Sequence, residues 1–229
     1  MKIDNAKRNT LIFSFIWLII LGAIAAVSPS SQKVMIIYII LAVTSVAFYG
    51  ISIALKTPAY GFTSKGAGLS IGLGLLCLVI FYSATFIEGF SLFSPPLPQS
   101  VGSDLQWFVV NIVAPSVETV FFFGAVMGLF LFSKFFRKNL VLTAFFVAII
   151  SSLFHLGAYI IGFENLSSFG LAYSVFLQNL IPFIAAFTFF FISGVLLVTV
   201  APNLLFVFVF HLVNIFISFK NAVGSITVT

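Results

Sequence analysis

The sequence has little charge. Only 7% of its 229 residues are charged and 62% are hydrophobic, whereas soluble domains are roughly one quarter charged. A globular protein of this size could not bury so much apolar surface in one core. The composition therefore excludes an ordinary soluble domain and indicates an integral membrane protein, with the lipid bilayer as its first partner. The net charge of +5 lies in short loops between apolar runs, so we expect no nucleic-acid partner.

Cysteine is also scarce. The one cysteine, Cys77, lies inside an apolar run, so no disulfide framework within the chain is possible. A buried cysteine in such a run usually packs as a small hydrophobic side chain. We therefore assign it no chemistry.

Most of the sequence consists of long apolar runs. Each is about the length that a helix needs to cross a bilayer, roughly 20 residues, and they cover 10–27, 34–55, 68–90, 109–133, 140–163, 171–200 and 204–219. We predict an all-α fold, a polytopic bundle of about seven transmembrane helices (six to eight) in one integral membrane domain, 1–229. The sixth run is too long for one straight span. Because Gln178, Asn179 and Pro182 lie early in it, we expect a broken or re-entrant piece followed by a full span.

The basic residues predict a multi-pass topology with a cytoplasmic N-terminus. If each run crosses once, eight of the ten basic residues fall on the N-terminal side of the membrane, as the positive-inside rule requires: Lys2, Lys7, Arg8, Lys56, Lys65, Lys134, Arg137 and Lys138. The first run could also pass for a signal peptide. Its length favours a first transmembrane helix.

Three ionisable residues lie in the middle of apolar runs: Glu118, His155 and His211. A charge at the bilayer centre costs roughly 2.5–3.5 kcal/mol on insertion scales, so such a residue suggests a functional site. At about 1.5 Å per residue, each lies roughly 12–13 Å below the outer boundary of its run, and we expect the three to meet. Helical spacing adds neighbours on the same two faces: Ser151, Ser152, Tyr159, Asn214 and Ser218. Such a cluster suits a general base or a metal ligand set, and the alternative is structural hydrogen bonding between helices.

These residues lie in three recognisable motifs. Residues 114–124 read APSVETVFFFG, residues 150–156 read ISSLFHL, and Pro202-Asn203 leads to His211 and Asn214. The sequence resembles the CPBP intramembrane proteases, also called the CAAX-protease or bacteriocin-processing family, over 109–219. The N-terminal helices in 1–108 lie outside the resemblance.

The chain departs from the family pattern at four positions. The family signature on this helix is Glu-Glu-x-x-x-Arg, and here Thr119 replaces its second glutamate and Phe123 its arginine. Ser151 stands where the family has a phenylalanine, and Asn214 comes one residue early after His211.

The resemblance implies a catalytic role for four residues. Glu118, assisted by His155, would activate water against a membrane-embedded or lipidated peptide, and His211 and Asn214 would stabilise the oxyanion. The family chemistry is also described as metal-dependent, which would make Glu118, His155 and His211 ligands of a divalent metal such as zinc. Two other functions remain open: a degenerate member serving as an accessory or scaffold subunit of a membrane complex, and a transporter or metal-site membrane protein.

Overall fold

The computed structural model describes residues 2–27, 32–84, 108, 112–161 and 180–212. Within these ranges the chain is helical and contains no strand, which confirms the all-α prediction. The helices, numbered in chain order, are α1 (Lys2–Val27), α2 (Gln32–Ala54), α3 (Ala67–Ala84), α4 (Ala114–Phe130), α5 (Lys134–Lys138), α6 (Leu140–Ile161), α7 (Leu180–Thr199) and α8 (Leu204–His211).

Two helices contain stretches long and apolar enough to cross a membrane, Asn5–Val27 in α1 and Met35–Ala54 in α2. The other apolar stretches within the described residues are shorter: Ala67–Phe81, Ala114–Phe130, Leu140–His155 and Ala186–Thr199. Among the described residues, stretches both long and apolar enough to cross a membrane are therefore found at two of the seven predicted runs. Each of the other five runs also contains a helix.

Helix α1 begins at Lys2, eight residues before the predicted run. The reason lies at Lys7, which is only 1% exposed. Its ammonium group donates to the carbonyls of Ser52, at 3.2 Å, and Thr57, at 3.0 Å. A lysine in this position satisfies carbonyl groups at and beyond the C-terminal end of α2, and so it fixes the first turns of α1 against that end.

Helix α4 is not α-helical throughout. It begins as an α-helix over Ala114–Glu118, continues as a π-helix over Thr119–Val126 and returns to an α-helix over Met127–Phe130. In this wider turn a backbone N–H bonds the carbonyl five residues earlier, as Met127 does to Phe122. π-Helical turns are rare and occur frequently at functional sites.

Helix α4 lies between two hydrophobic clusters. Val113 and Val117 pack into one, formed with α1 and α2 around Trp17, Leu21 and Met35. Residues further along α4 pack into the other, formed with α6, α7 and α8: Phe122, Phe123 and Met127. Glu118 therefore lies where the two halves of the molecule meet.

The connection between α2 and α3 is attached to the start of α8. Asn203 is 2% exposed and accepts a hydrogen bond from the Leu205 N–H at 3.1 Å, which caps α8. It also accepts from the Thr63 N–H at 3.3 Å and donates to the Thr63 carbonyl at 2.7 Å. Helix α8 carries His211, so these hydrogen bonds of Asn203 fix the position of His211 along the axis of α8 relative to the other helices.

The later predicted runs differ from the helices at their ends. The fourth run was predicted to continue to residue 133, but α4 ends at Phe130. The sixth run contains α7, which starts two residues before Pro182, and proline is tolerated in a first helical turn. The full span expected there stays a prediction, since the apolar stretch of α7 covers Ala186–Thr199. The broken piece expected at 171–179, with Gln178 and Asn179, lies outside the described residues.

Candidate functional site

The structure brings together Glu118, His155 and His211, which stand on α4, α6 and α8. The Nε2 atom of His155 lies 3.5 Å from Oε2 of Glu118, and the Nε2 atom of His211 lies 3.6 Å from the same oxygen. Both imidazole rings therefore face one carboxylate oxygen. Three rare ionisable residues from three separate apolar runs form a single cluster.

The second carboxylate oxygen has a different partner. The hydroxyl of Tyr38, on α2, donates to Oε1 of Glu118 at 2.9 Å. An ionised carboxylate accepts hydrogen bonds only, so this phenol is the donor. The two oxygens of Glu118 thus have separate surroundings, a phenol on one and two histidines on the other.

The π-helical stretch begins directly after Glu118 and brings its neighbour into the same site. Oγ1 of Thr119 lies 3.1 Å from Nδ1 of His211. Thr119 is fully buried, and its hydroxyl can donate a hydrogen bond to Nδ1 of His211. The ring hydrogen of His211 then lies on Nε2, which faces the carboxylate. The residue at the position of the family's second glutamate therefore contacts a site histidine.

The orientation of His155 constrains where a proton lies. Its Nδ1 atom is 2.7 Å from the carbonyl oxygen of Ser151, and a carbonyl oxygen only accepts, so Nδ1 carries hydrogen. A neutral ring would then aim the lone pair of Nε2 at Oε2 of Glu118. Because two lone pairs facing each other repel, we place a proton on Nε2 of His155, which makes the contact an ion pair between an imidazolium and a carboxylate.

Aromatic rings enclose the cluster. The ring of Phe190 lies 5.1 Å from His155 and 5.7 Å from His211, centre to centre. Phe189 lies 4.9 Å from His211. The side chains of Glu118 and His211 are only 6% and 5% exposed, whereas His155 keeps 26% of its side-chain surface exposed. The cluster is therefore dry on most sides and reachable past His155.

The donor set invites a test for a metal. A histidine that ligates a metal through Nε2 often donates its other N–H to a backbone carbonyl, as His155 does here. Among the described residues, however, no three His, Cys, Asp or Glu side chains are arranged to hold a metal ion. We therefore derive no chemical step through a metal, and the ligand role of Glu118, His155 and His211 stays a prediction.

The remaining predicted residues divide into two groups. Ser151 and Ser152 are buried on α6, but their hydroxyls donate to carbonyls of their own helix, at 2.8 and 2.7 Å. They are satisfied locally rather than in the site. Asn214, Tyr159 and Ser218 fall outside the side chains that the structure describes, so the oxyanion role of Asn214 stays an expectation.

Phe123, at the position of the arginine in the motif that the sequence resembles, is held by packing. Phe123 is fully buried and stacks on Phe190, with ring centres 5.6 Å apart and planes 20° from parallel. Phe190 in turn packs against both histidines. An aromatic pair thus occupies the place where the family would have a charge.

Sequence reasoning missed Tyr38, which lies in the N-terminal half outside the resemblance. One signal could have found it, because a buried tyrosine hydroxyl needs a hydrogen-bond partner. On the predicted topology it also lies about one turn below the outer end of its run.

The fold and site define a helical protein with an apolar exterior and a Glu-His-His-Tyr cluster built around the buried Glu118. Comparisons of the chain with protein-family models, curated proteins and solved structures give no match. The likeness to the CPBP family therefore stays an interpretation of the motif residues and their order.

Proposed function

We propose that this chain is a multi-pass membrane protein with a cytoplasmic N-terminus. The orientation is supported by the positions of the basic residues in the sequence. The membrane location is supported by where the apolar side chains point. Only 28% of the spanning stretch in α1 and 33% of that in α2 is buried inside the molecule, whereas the core helix of a soluble protein would be mostly buried. Large apolar side chains lie exposed instead along α1, α2 and α3, among them Ile16, Ile19, Ile40, Leu76 and Ile80.

Within the membrane, we infer that the chain acts as a divergent intramembrane endopeptidase. The observation that carries this inference is the approach of two imidazole Nε2 atoms to one carboxylate oxygen, at 3.5 and 3.6 Å, in an apolar surround. Burying these groups is costly unless they serve one another. Their arrangement suits general-base chemistry on a bound water.

Glu118 is the proposed base. Oε2 of Glu118 removes a proton from water, and the water oxygen bonds to the substrate carbonyl carbon as the carbonyl electrons move on to its oxygen. Protonated His155 holds the carboxylate by charge attraction at 3.5 Å. The N–H of His211, already within 3.6 Å of Oε2, donates to the oxyanion that forms beside it.

The second half of the reaction releases the two peptide fragments. The tetrahedral intermediate collapses and the carbon–nitrogen bond breaks. The proton held by Glu118 passes to the departing amine nitrogen. The products are a carboxyl group and an amine, and Glu118 returns to its starting state. Asn214 would add a second donor to the oxyanion, as the family resemblance implies.

The surroundings of the site indicate its substrate class. Access is on the side of His155, which is partly exposed, and the site is enclosed by phenylalanine rings. An apolar peptide segment, membrane-embedded or lipid-modified, matches these walls better than a charged one.

A cleavage assay tests the proposal. Purified wild type, Glu118→Gln and Ser116→Ala are each incubated in detergent or vesicles with membrane-anchored and prenylated peptides, with and without a chelator. Ser116 is the matched control because it is buried on the same helix and its hydroxyl donates to the backbone carbonyl of Ile112 rather than to the site. We expect cleavage by wild type and by Ser116→Ala, and a loss of at least about a hundredfold in Glu118→Gln.

A second function has one observation in its favour. Phe123 and Phe190 stack where the family has an arginine, so the site lacks that cation. A chain without catalysis could keep the fold as an accessory subunit of a membrane complex. Folded wild type that leaves every peptide intact would contradict the protease and favour this second function.

A further inference from the structure

We propose that Tyr38 is a positioning residue of the active site: its hydroxyl holds Oε1 of Glu118 so that Oε2 alone serves as the base. This inference depends on the proposed function of Glu118. It also assigns α2, which lies outside the family resemblance, a part in the chemistry. The N-terminal helices would then complete the site rather than only anchor it.

The first support is the division of labour on the carboxylate. The phenol lies 2.9 Å from Oε1, while both histidines approach Oε2 at 3.5 and 3.6 Å. A hydrogen bond from a neutral donor to a carboxylate is among the stronger kinds in proteins. It prevents the carboxyl group from rotating and exchanging its two oxygens.

The second support is how α2 presents Tyr38. Three buried residues lie three or four positions from Tyr38: Met35 before it, and Leu41 and Ala42 after it. Residues at this spacing share one face of a helix. That face packs against α1 and α4, with Tyr38 against the cluster that contains Val117. The phenol is therefore directed at Glu118 by the packing of its own helix face.

The substitution Tyr38→Phe removes the hydroxyl and keeps the ring. Without its donor, the carboxylate form of Glu118 is less stabilised and can rotate. Hydrogen bonds to charged groups are worth enough for about a tenfold effect. We expect kcat to fall about tenfold with KM unchanged, and the acidic limb of the pH profile of kcat/KM to move to higher pH, because the base keeps its proton longer.

Tyr49→Phe is the matched control. Tyr49 lies on the same helix, is fully buried, and donates to the Tyr60 carbonyl at 2.6 Å rather than to the site. The control loses the same hydroxyl, a buried hydrogen bond and some stability. It should keep the kcat and pH profile of the wild type. A pH profile of Tyr38→Phe identical to that of Tyr49→Phe would overturn the positioning role.

A second measurement does not need cleavage. An apolar carbodiimide adds to protonated carboxyl groups, and mass spectrometry reports the fraction of Glu118 modified with time. We expect Tyr38→Phe to react about tenfold faster than wild type, because Oε1 is uncovered and the carboxyl group is protonated more of the time. Tyr49→Phe should match wild type. Equal rates in Tyr38→Phe and wild type, including no reaction in either, would contradict the inference.

The two experiments separate the possible failures. If wild type cleaves nothing but Tyr38→Phe reacts faster with the carbodiimide, the protease proposal fails and the hold of Tyr38 on Glu118 stands. If wild type cleaves and Tyr38→Phe matches it in kcat, pH profile and labelling, the protease stands and the positioning role fails.

Discussion

The substitution Asn203→Ala should destabilise the protein by about 3 kcal/mol. The side chain makes three hydrogen bonds: one caps α8 at the Leu205 N–H, and two join Thr63. Losing an N-cap costs about 1 kcal/mol, and each of the other two bonds contributes about 1 kcal/mol. Because α8 also carries His211, we expect cleavage to weaken together with stability.

Thermal unfolding in detergent measures this effect. For a chain of this length, a loss of about 3 kcal/mol corresponds to a fall in Tm of about 6–12 °C. Asn203→Asp keeps the acceptor oxygen and loses the donor to Thr63, so we expect it to lose about one third as much. Asn9→Ala is the control, since its amide is exposed and makes a single bond of 3.3 Å to the Phe62 carbonyl. It should shift Tm by less than about 2 °C.

The reasoning would be refuted by a Tm for Asn203→Ala equal to that of Asn9→Ala. That result would mean that water replaces all three bonds. It would also remove the case that this asparagine fixes α8 against the connection between α2 and α3.

Three other substitutions have defined outcomes in the same unfolding assay. Gly124→Ala should lower the free energy of unfolding by about 2 kcal/mol, because the added Cβ would overlap a tyrosine hydroxyl of α2. Gly68→Ala should be neutral or stabilising, because its added Cβ would meet none of the described atoms within 4 Å. Equal effects of the two substitutions would contradict this packing. Phe190→Ala should cost about 3–5 kcal/mol through the cavity it leaves between the two histidines; a loss below about 1 kcal/mol would show that the site collapses to fill it. Lys7→Ala should cost about 2 kcal/mol by freeing two carbonyls, and the exposed Arg8→Ala should not; similar values for both would refute the buried role of Lys7.

The core of the site could be predicted because its residue types are rare in apolar runs. A glutamate and two histidines stand out there, and counting residues from the run ends placed them at one depth. Their meeting within 3.6 Å agrees with that placement. Tyr38 could not be singled out in the same way, since tyrosine is common in this chain, with six copies. Its role depends on the rotation of α2 about its axis.

The two glycine pairs show the limit of pattern reasoning. Gly124 and Gly128 are spaced four apart, and so are Gly68 and Gly72. A Cβ added to the first pair would overlap Tyr49 and Phe48 of α2. A Cβ added to the second pair would meet no atom of the described residues within 4 Å. Glycines four apart leave one face of a helix without side chains. Whether another helix packs on that face depends on the tertiary fold.

The residues at which the helices begin and end could not be predicted from hydropathy either. Lys7 and Arg8 read as loop residues because they are charged, yet α1 includes both. A buried cation with two carbonyl partners is compatible with a helix, and the average polarity of a window does not reveal that pairing. Thr119 is a related case, since it was read as a departure from the family and turns out to bond His211.

The π-helix in α4 fixes the number of residues between Glu118 and Met127, not only their identity. A ladder that bonds five residues back accommodates an extra residue that an α-helix would not hold. Deleting one residue of Thr119–Val126 would remove this extra residue and let the ladder return to α geometry with the two ends of α4 near their present relative orientation. A deletion in the α-helical turns on either side would instead rotate one end of α4 by about 100° relative to the other. The expected effect of a deletion in α4 therefore depends on which side of Glu118 or Met127 it falls.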